Sequence, residues 1–165
     1  MRPLSTTLSV CAAVMLSAAA YAQQPAPQSP EYGMPATQAQ AMKAAAAAQE
    51  KAKQLKIHAA ITIVGPSGDL IYFTKMDGTQ YGSVFVSRKK ARTAALFRRP
   101  SKAFDDGLAK GGPAMSLLTL PNVIASAGGV PLIVDGKIIG AIGISGAPAG
   151  AIDAEAAQAG ADALK

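Results

Sequence analysis

Chemically versatile side chains are scarce in this chain. It carries one cysteine, Cys11, one histidine, His58, and no tryptophan. A single thiol forms no disulfide within the chain and supports no dithiol redox chemistry. A Ser–His–acid triad would depend on His58 alone, and zinc needs three or four His, Cys or carboxylate ligands that do not cluster here. Asp105 and Asp106 are adjacent, so on a helix they point in different directions and form no acid/base pair. Gly140, Gly143 and Gly146 lie inside a strand pattern, not between a strand and a helix N-terminus. That excludes a P-loop or a dinucleotide fingerprint. The net charge of +6 would suit an anionic partner. Nucleic acid is disfavoured, because no zinc spacing or other recognition module accompanies the charge.

The start of the chain reads as an export signal. Arg2 supplies a positive n-region, Leu8 to Ala20 an apolar run, and Ala20-Tyr21-Ala22 a small-residue cleavage site. The run is too short to span a bilayer comfortably, so no stable membrane anchor is expected. Cleavage after Ala22 would remove Cys11 and send the protein to the periplasm or the exterior. Residues 23–36, with Pro25, Pro27, Pro30 and Pro35, read as a Pro-rich flexible tether, and residues 37–165 as one domain.

Gly128 to Ala147 spells a β-hairpin, with two apolar β-branched runs flanking Asp135-Gly136. That dipeptide accepts the positive φ angles of a two-residue type I′ turn. The glycines after it mark places where another backbone or a flat ligand approaches closely. Elsewhere the pattern predicts a helix over 39–56 capped by Thr37, a strand over 59–64, a turn at Gly65-Pro66-Ser67-Gly68 and a strand over 70–76. A helix from Ser83 to Arg98, a shorter one capped by Ser101 and running to Lys110, an apolar turn at 115–120 and a final helix over 152–164 follow. Strands joined by tight turns pair antiparallel, which makes this an α+β domain: an antiparallel sheet flanked by helices.

Seven basic residues, Arg88, Lys89, Lys90, Arg92, Arg98, Arg99 and Lys102, crowd the helical region. At about 100° per residue, Arg88, Arg92 and Arg99 fall on one stripe. Val86, Thr93 and Phe97 share another, with Lys89 and Lys90 on its edges. A hydroxyl among apolar neighbours between two ammonium groups describes a pocket for a flat apolar ligand bearing carboxylates, such as a porphyrin or a smaller organic acid. Lys89, Lys90, Thr93 and Phe97 are therefore the candidate ligand-binding residues. His58, at the mouth of the first strand, is the candidate axial ligand to a haem iron, against the ordinary alternative of a surface histidine.

Three segments together resemble the GlcG/HbpS-like haem-binding and haem-degrading proteins. They are Gly68 to Gly78, similar to a strand ending in R-M-D-G; Arg88 to Pro100, similar to an R-x-K-A-x-T-A helix before a proline; and Gly128 to Ala147 with Asp153 beyond it. The chain departs from the pattern at Gly65, where an acidic residue is expected, and at Lys75, where an arginine is. The resemblance implies a profilin- or PAS-like fold, a homo-oligomer, and haem or a related tetrapyrrole as ligand. On it, Lys90 and Thr93 match the helix motif, Met76 and Asp77 the strand end, and Gly129 and Pro131 the hairpin. Two functions follow as expectations: an exported haem-binding protein, or a non-enzymatic sensor-accessory module whose arginine stripe meets an acidic partner or a small carboxylate. Catalysis stays open, since no positioned acid/base pair is legible.

Overall fold

Asp135 and Gly136 take left-handed backbone conformations, φ 50° and 73°, and close the predicted turn between β3 (Gly129–Val134) and β4 (Lys137–Ser145). The computed structural model describes residues 28–165. In it, α1 (Gln38–Gln54) precedes β1 (Ala60–Val64) and β2 (Leu70–Lys75). Then come α2 (Gly82–Leu96), α3 (Lys102–Leu108), a 3-10 segment (Gly112–Thr119), the β3–β4 hairpin and α4 (Gly150–Asp162). The strands form one antiparallel sheet in the order β2-β1-β4-β3, an α+β architecture as expected. Thr37 caps α1 through a reciprocal box with Gln40, satisfying two otherwise orphaned groups.

The central part of the sheet is buried on both faces, while the edge strand β2 stays partly exposed. Ile61, Ile63, Leu132, Ile142 and Ile144 pack with the alanine stripe of α1 (Ala41, Ala44, Ala45, Ala48, Ala52) and with Ala156, Ala157 and Ala161 of α4. Val64 and Ala141 face Ala91, Ala94 and Ala95 of α2 on the other side. Small side chains let these helices lie very close. A Cβ on Gly143 would fall on the Ser87 carbonyl of α2, one on Gly140 on the Val64 carbonyl, and one on Gly146 on the His58 carbonyl. The close approach foreseen at these glycines is thus made by backbone. A hydroxyl seam runs under α2, where Thr62 Oγ1 and Ser87 Oγ lie 2.9 Å apart and Ser145 Oγ meets Ser83 Oγ at 3.3 Å.

Two expectations change at the edges of the domain. The predicted signal, Met1 to Ala22, and residues 23–27 of the predicted tether lie outside the described residues. From Glu31 onward, however, the segment is docked. The Ile138 amide donates to the Glu31 carbonyl at 2.7 Å, and the Gly33 and Ala36 amides donate to Ile138 and Ile139 at 2.8 Å. The reason lies in strand lengths: β1 pairs with β4 only as far as Ala141, so the start of β4 would otherwise offer unpaired backbone groups. Likewise, α2 ends at Leu96, not Arg98. Pro100 disfavours helical backbone at Arg99, and Arg98 turns out at φ 52°. Among the described residues no helix is long and apolar enough to cross a membrane.

Candidate functional site

The α2 side chains predicted to line a pocket are largely consumed inside the fold. Lys90 is 2% exposed, and its Nζ donates to Asp153 Oδ2 at 2.8 Å. Asp153 Oδ1 accepts the Ala147 amide at 3.0 Å, in the first turn of α4 where the helix dipole favours an anion. Thr93 is fully buried; its hydroxyl donates to the Lys89 carbonyl at 2.8 Å and accepts the Ile124 amide at 2.9 Å. Phe97 stacks edge-on against Phe104, with ring centroids 5.2 Å apart. Only the Lys89 side chain is exposed. The four residues therefore do not form an open pocket in the protomer. The stripe carrying residues 90 and 93 turns toward β3 and the 122–128 loop, a direction that helical periodicity alone leaves open. Thr93→Val should cost about 1–3 kcal/mol by orphaning the Ile124 amide, as measured by urea unfolding.

His58 stands apart from this group. It is exposed, at the wall of a cavity of about 340 Å³ lined by Gln49 and Lys53 of α1 and by Thr74, Lys75, Met76 and Asp77. The ring leans on Gly78, where a Cβ would lie 3.4 Å from Nδ1. Met76, whose amide donates to the Ala59 carbonyl at 3.0 Å, lines the same cavity while packing against the core. Thr79 Oγ1 then donates to the Met76 carbonyl at 2.7 Å and fixes the turn. Lys53 is held by Glu50 at 2.6 Å. The wall thus carries an imidazole, a thioether and, apart from the paired Lys53, the Lys75 ammonium group, donors and a cation of the kind that a haem iron and its carboxylates take. The cavity is open on one side and does not by itself enclose a macrocycle.

A second cavity, about 280 Å³, opens at the β3 edge. Val130, Pro131, Ile133, Pro100 and Ala161 make it apolar, and Arg98, Arg99, Gln158 and Lys165 rim it. Lys165 and Gln158 both hydrogen-bond Asp162, which holds that carboxyl below its ordinary range, the Lys165 bond contributing most. The predicted Arg88–Arg92–Arg99 stripe is broken here, because the helix ends before Arg99. Arg99 instead lies over the Phe104 ring at 4.7 Å. Arg92 folds against the turn at Gly68, its Nε buried without a hydrogen-bond partner.

Two residues carry more than their sequence positions indicated. Ser101 does not cap α3: its hydroxyl donates to the Ser126 carbonyl at 2.7 Å and accepts the Gly129 amide at 2.8 Å, tying β3 to the loop before it. Asp153, which the family pattern places beyond the hairpin, shares α4 with Glu155 and Asp162, yet it alone of the three is buried, its carboxylate committed to Lys90 and the Ala147 amide.

The family model described as "Haem degrading protein HbpS-like" matches residues 36–162. Protein GlcG of Escherichia coli K12 is 38% identical over 100 residues, covering 61% of this chain and 73% of its own length. The crystal structure of a Streptomyces reticuli HbpS double mutant superposes with a TM-score of 0.74 at 26% identity over 99% of both chains. The crystal structure of a PduOC:haem complex gives 0.72 at 25% identity, over 80% of this chain and 96% of that one. The four-stranded antiparallel sheet and the extent of the match agree: this chain belongs to the HbpS-like haem-degrading protein family.

Proposed function

We propose that this protein is exported, assembles with copies of itself and binds haem, with His58 as the iron ligand. One observation carries the reading: the single imidazole of the chain stands exposed at the wall of a cavity that also holds Met76, Lys53 and Lys75. A haem complex among the structural neighbours supports the ligand class. Haem, when bound, would supply a redox-active iron, and His58 would supply a donor to it, with Lys75 as a cation for its carboxylates. Lys75 attracts carboxylates, Lys53 being paired with Glu50, while Asp77 on the same wall limits where they lie. The open side of the cavity needs a cover, and a second protomer is the simplest one. Tyr81 and Phe85, 85% and 73% exposed one helical turn apart, supply apolar surface for such a contact.

Titration with hemin tests this directly. A Soret shift saturating at a fixed ratio of haem to protomer is expected, and His58→Ala should weaken binding about tenfold or more. Thr93→Val, although less stable, should retain the spectrum. Equal affinity and an unchanged spectrum in His58→Ala would remove the iron ligand from the reading. Loss of the Soret band over time with a reductant and oxygen, catalase being present, distinguishes breakdown from binding. Protein recovered from the periplasm should begin at Gln23.

A further inference from the structure

We infer that the cavity at the β3 edge is a separate site for a small amphipathic monocarboxylate, held by Arg98 and Arg99. Its volume, about 280 Å³, lies near the lower end of the range for small-ligand pockets. A medium-chain fatty acid is of that scale. Its lining is mostly apolar (Val130, Pro131, Ile133, Pro100), with Ser29 and Gln158 as the uncharged hydrogen-bonding side chains, so most of a ligand's length would lie against apolar surface. Its rim is cationic. Of the cations there, Lys165 is paired with Asp162 at 2.6 Å, whereas neither Arg98 nor Arg99 has a carboxylate within ion-pair distance among the described residues. Residues 1–27 contain no Asp or Glu that could supply one.

Both guanidinium groups are positioned in advance. The Arg98 guanidinium lies 5.6 Å from the centre of the Tyr32 ring, and Arg99 lies 4.7 Å from that of Phe104. Tyr32 is itself fixed, its hydroxyl donating to the Ala95 carbonyl at 2.8 Å with the Leu96 carbonyl at 3.1 Å. A ring beside a guanidinium takes up none of its N–H donors, and those donors match a carboxylate. The left-handed backbone at Arg98 takes the chain off the helix axis at this point. A non-glycine residue in that conformation costs free energy that the surrounding contacts must offset. None of the residues around His58 is shared with this cavity. The site therefore stands whether or not haem binds.

Calorimetric titration of the purified protein with octanoate, 1-octanol and acetate tests it. Octanoate should saturate at one per protomer. Octanol, which lacks the charge, and acetate, which lacks the tail, should each bind about tenfold more weakly or worse. The double variant Arg98→Gln, Arg99→Gln should lose at least about tenfold in octanoate affinity, with its melting temperature checked separately. His58→Ala should bind octanoate unchanged, and saturating hemin should not displace it. Equal binding of octanol and octanoate, undiminished binding in a folded double variant, or no octanoate binding at all would each overturn the proposal. Loss of octanoate binding in His58→Ala would overturn its separateness, without bearing on whether His58 ligates haem.

Discussion

Replacing Lys90 with methionine is expected to cost about 3–5 kcal/mol of folding stability, a large part of the 5–15 kcal/mol typical of a domain. Both side chains of the Lys90–Asp153 pair are 3% exposed. Removing the ammonium leaves a carboxylate out of water with only the Ala147 amide to stabilise it. The cost lies in that stranded charge more than in the lost attraction. A second substitution separates the two: adding Asp153→Asn to Lys90→Met keeps an oxygen for the Ala147 amide and removes the remaining charge. It should restore about 2 kcal/mol of the loss. Urea unfolding of the two variants measures both quantities. A single variant within about 1 kcal/mol of the parent would show that the carboxylate finds water or a proton at little cost. The pair joins α2 to α4 across opposite faces of the sheet, so this experiment also measures how strongly the two layers are coupled.

Gly143→Val is the second large effect expected, about 3–5 kcal/mol, at or above the top of the usual range for overpacking. Most inserted methyl groups press on side chains that can rotate away. At Gly143 the first carbon added would meet the Ser87 carbonyl and the Ala91 amide, which belong to the backbone of α2. The helix must then move as a body. Its hydroxyl contacts, Thr62 with Ser87 and Ser145 with Ser83, would be strained together. Exchange protection of the α2 amides should fall along with the midpoint of denaturant unfolding. If the midpoint drops while α2 remains protected, the strain has been absorbed in β4, and α2 is not the rigid partner described here.

Local patterns carried most of the fold. The Asp135-Gly136 turn, the Thr37 cap and the strand alternation around Ile61 and Ile63 involve residues close in sequence, and each formed as expected. The site fared differently. Helical periodicity grouped Thr93 with Lys89, Lys90 and Phe97 correctly as neighbours on α2. It could not say which way that stripe faced. Burial of Lys90 depends on Asp153, 63 positions away, and burial of Thr93 on Ile124, 31 positions away. The docking of Glu31 to Ala36 depends on how far β1 extends along β4, a matter of register between distant strands.

By itself the sequence determined the kinds of element, their order and the antiparallel pairing, because turn dihedrals, capping and side-chain alternation act over a few residues. It also determined what is chemically absent: a second imidazole and a thiol pair. Tertiary structure alone decided which polar groups are spent in holding the layers together and which are left at a surface. Lys90 and Thr93 are of the first kind; His58, Arg98 and Arg99 are of the second. The physical reason is desolvation. Whether a cation or hydroxyl is satisfied inside the fold or stays available outside depends on partners that the sheet and its two helical layers bring together from far along the chain.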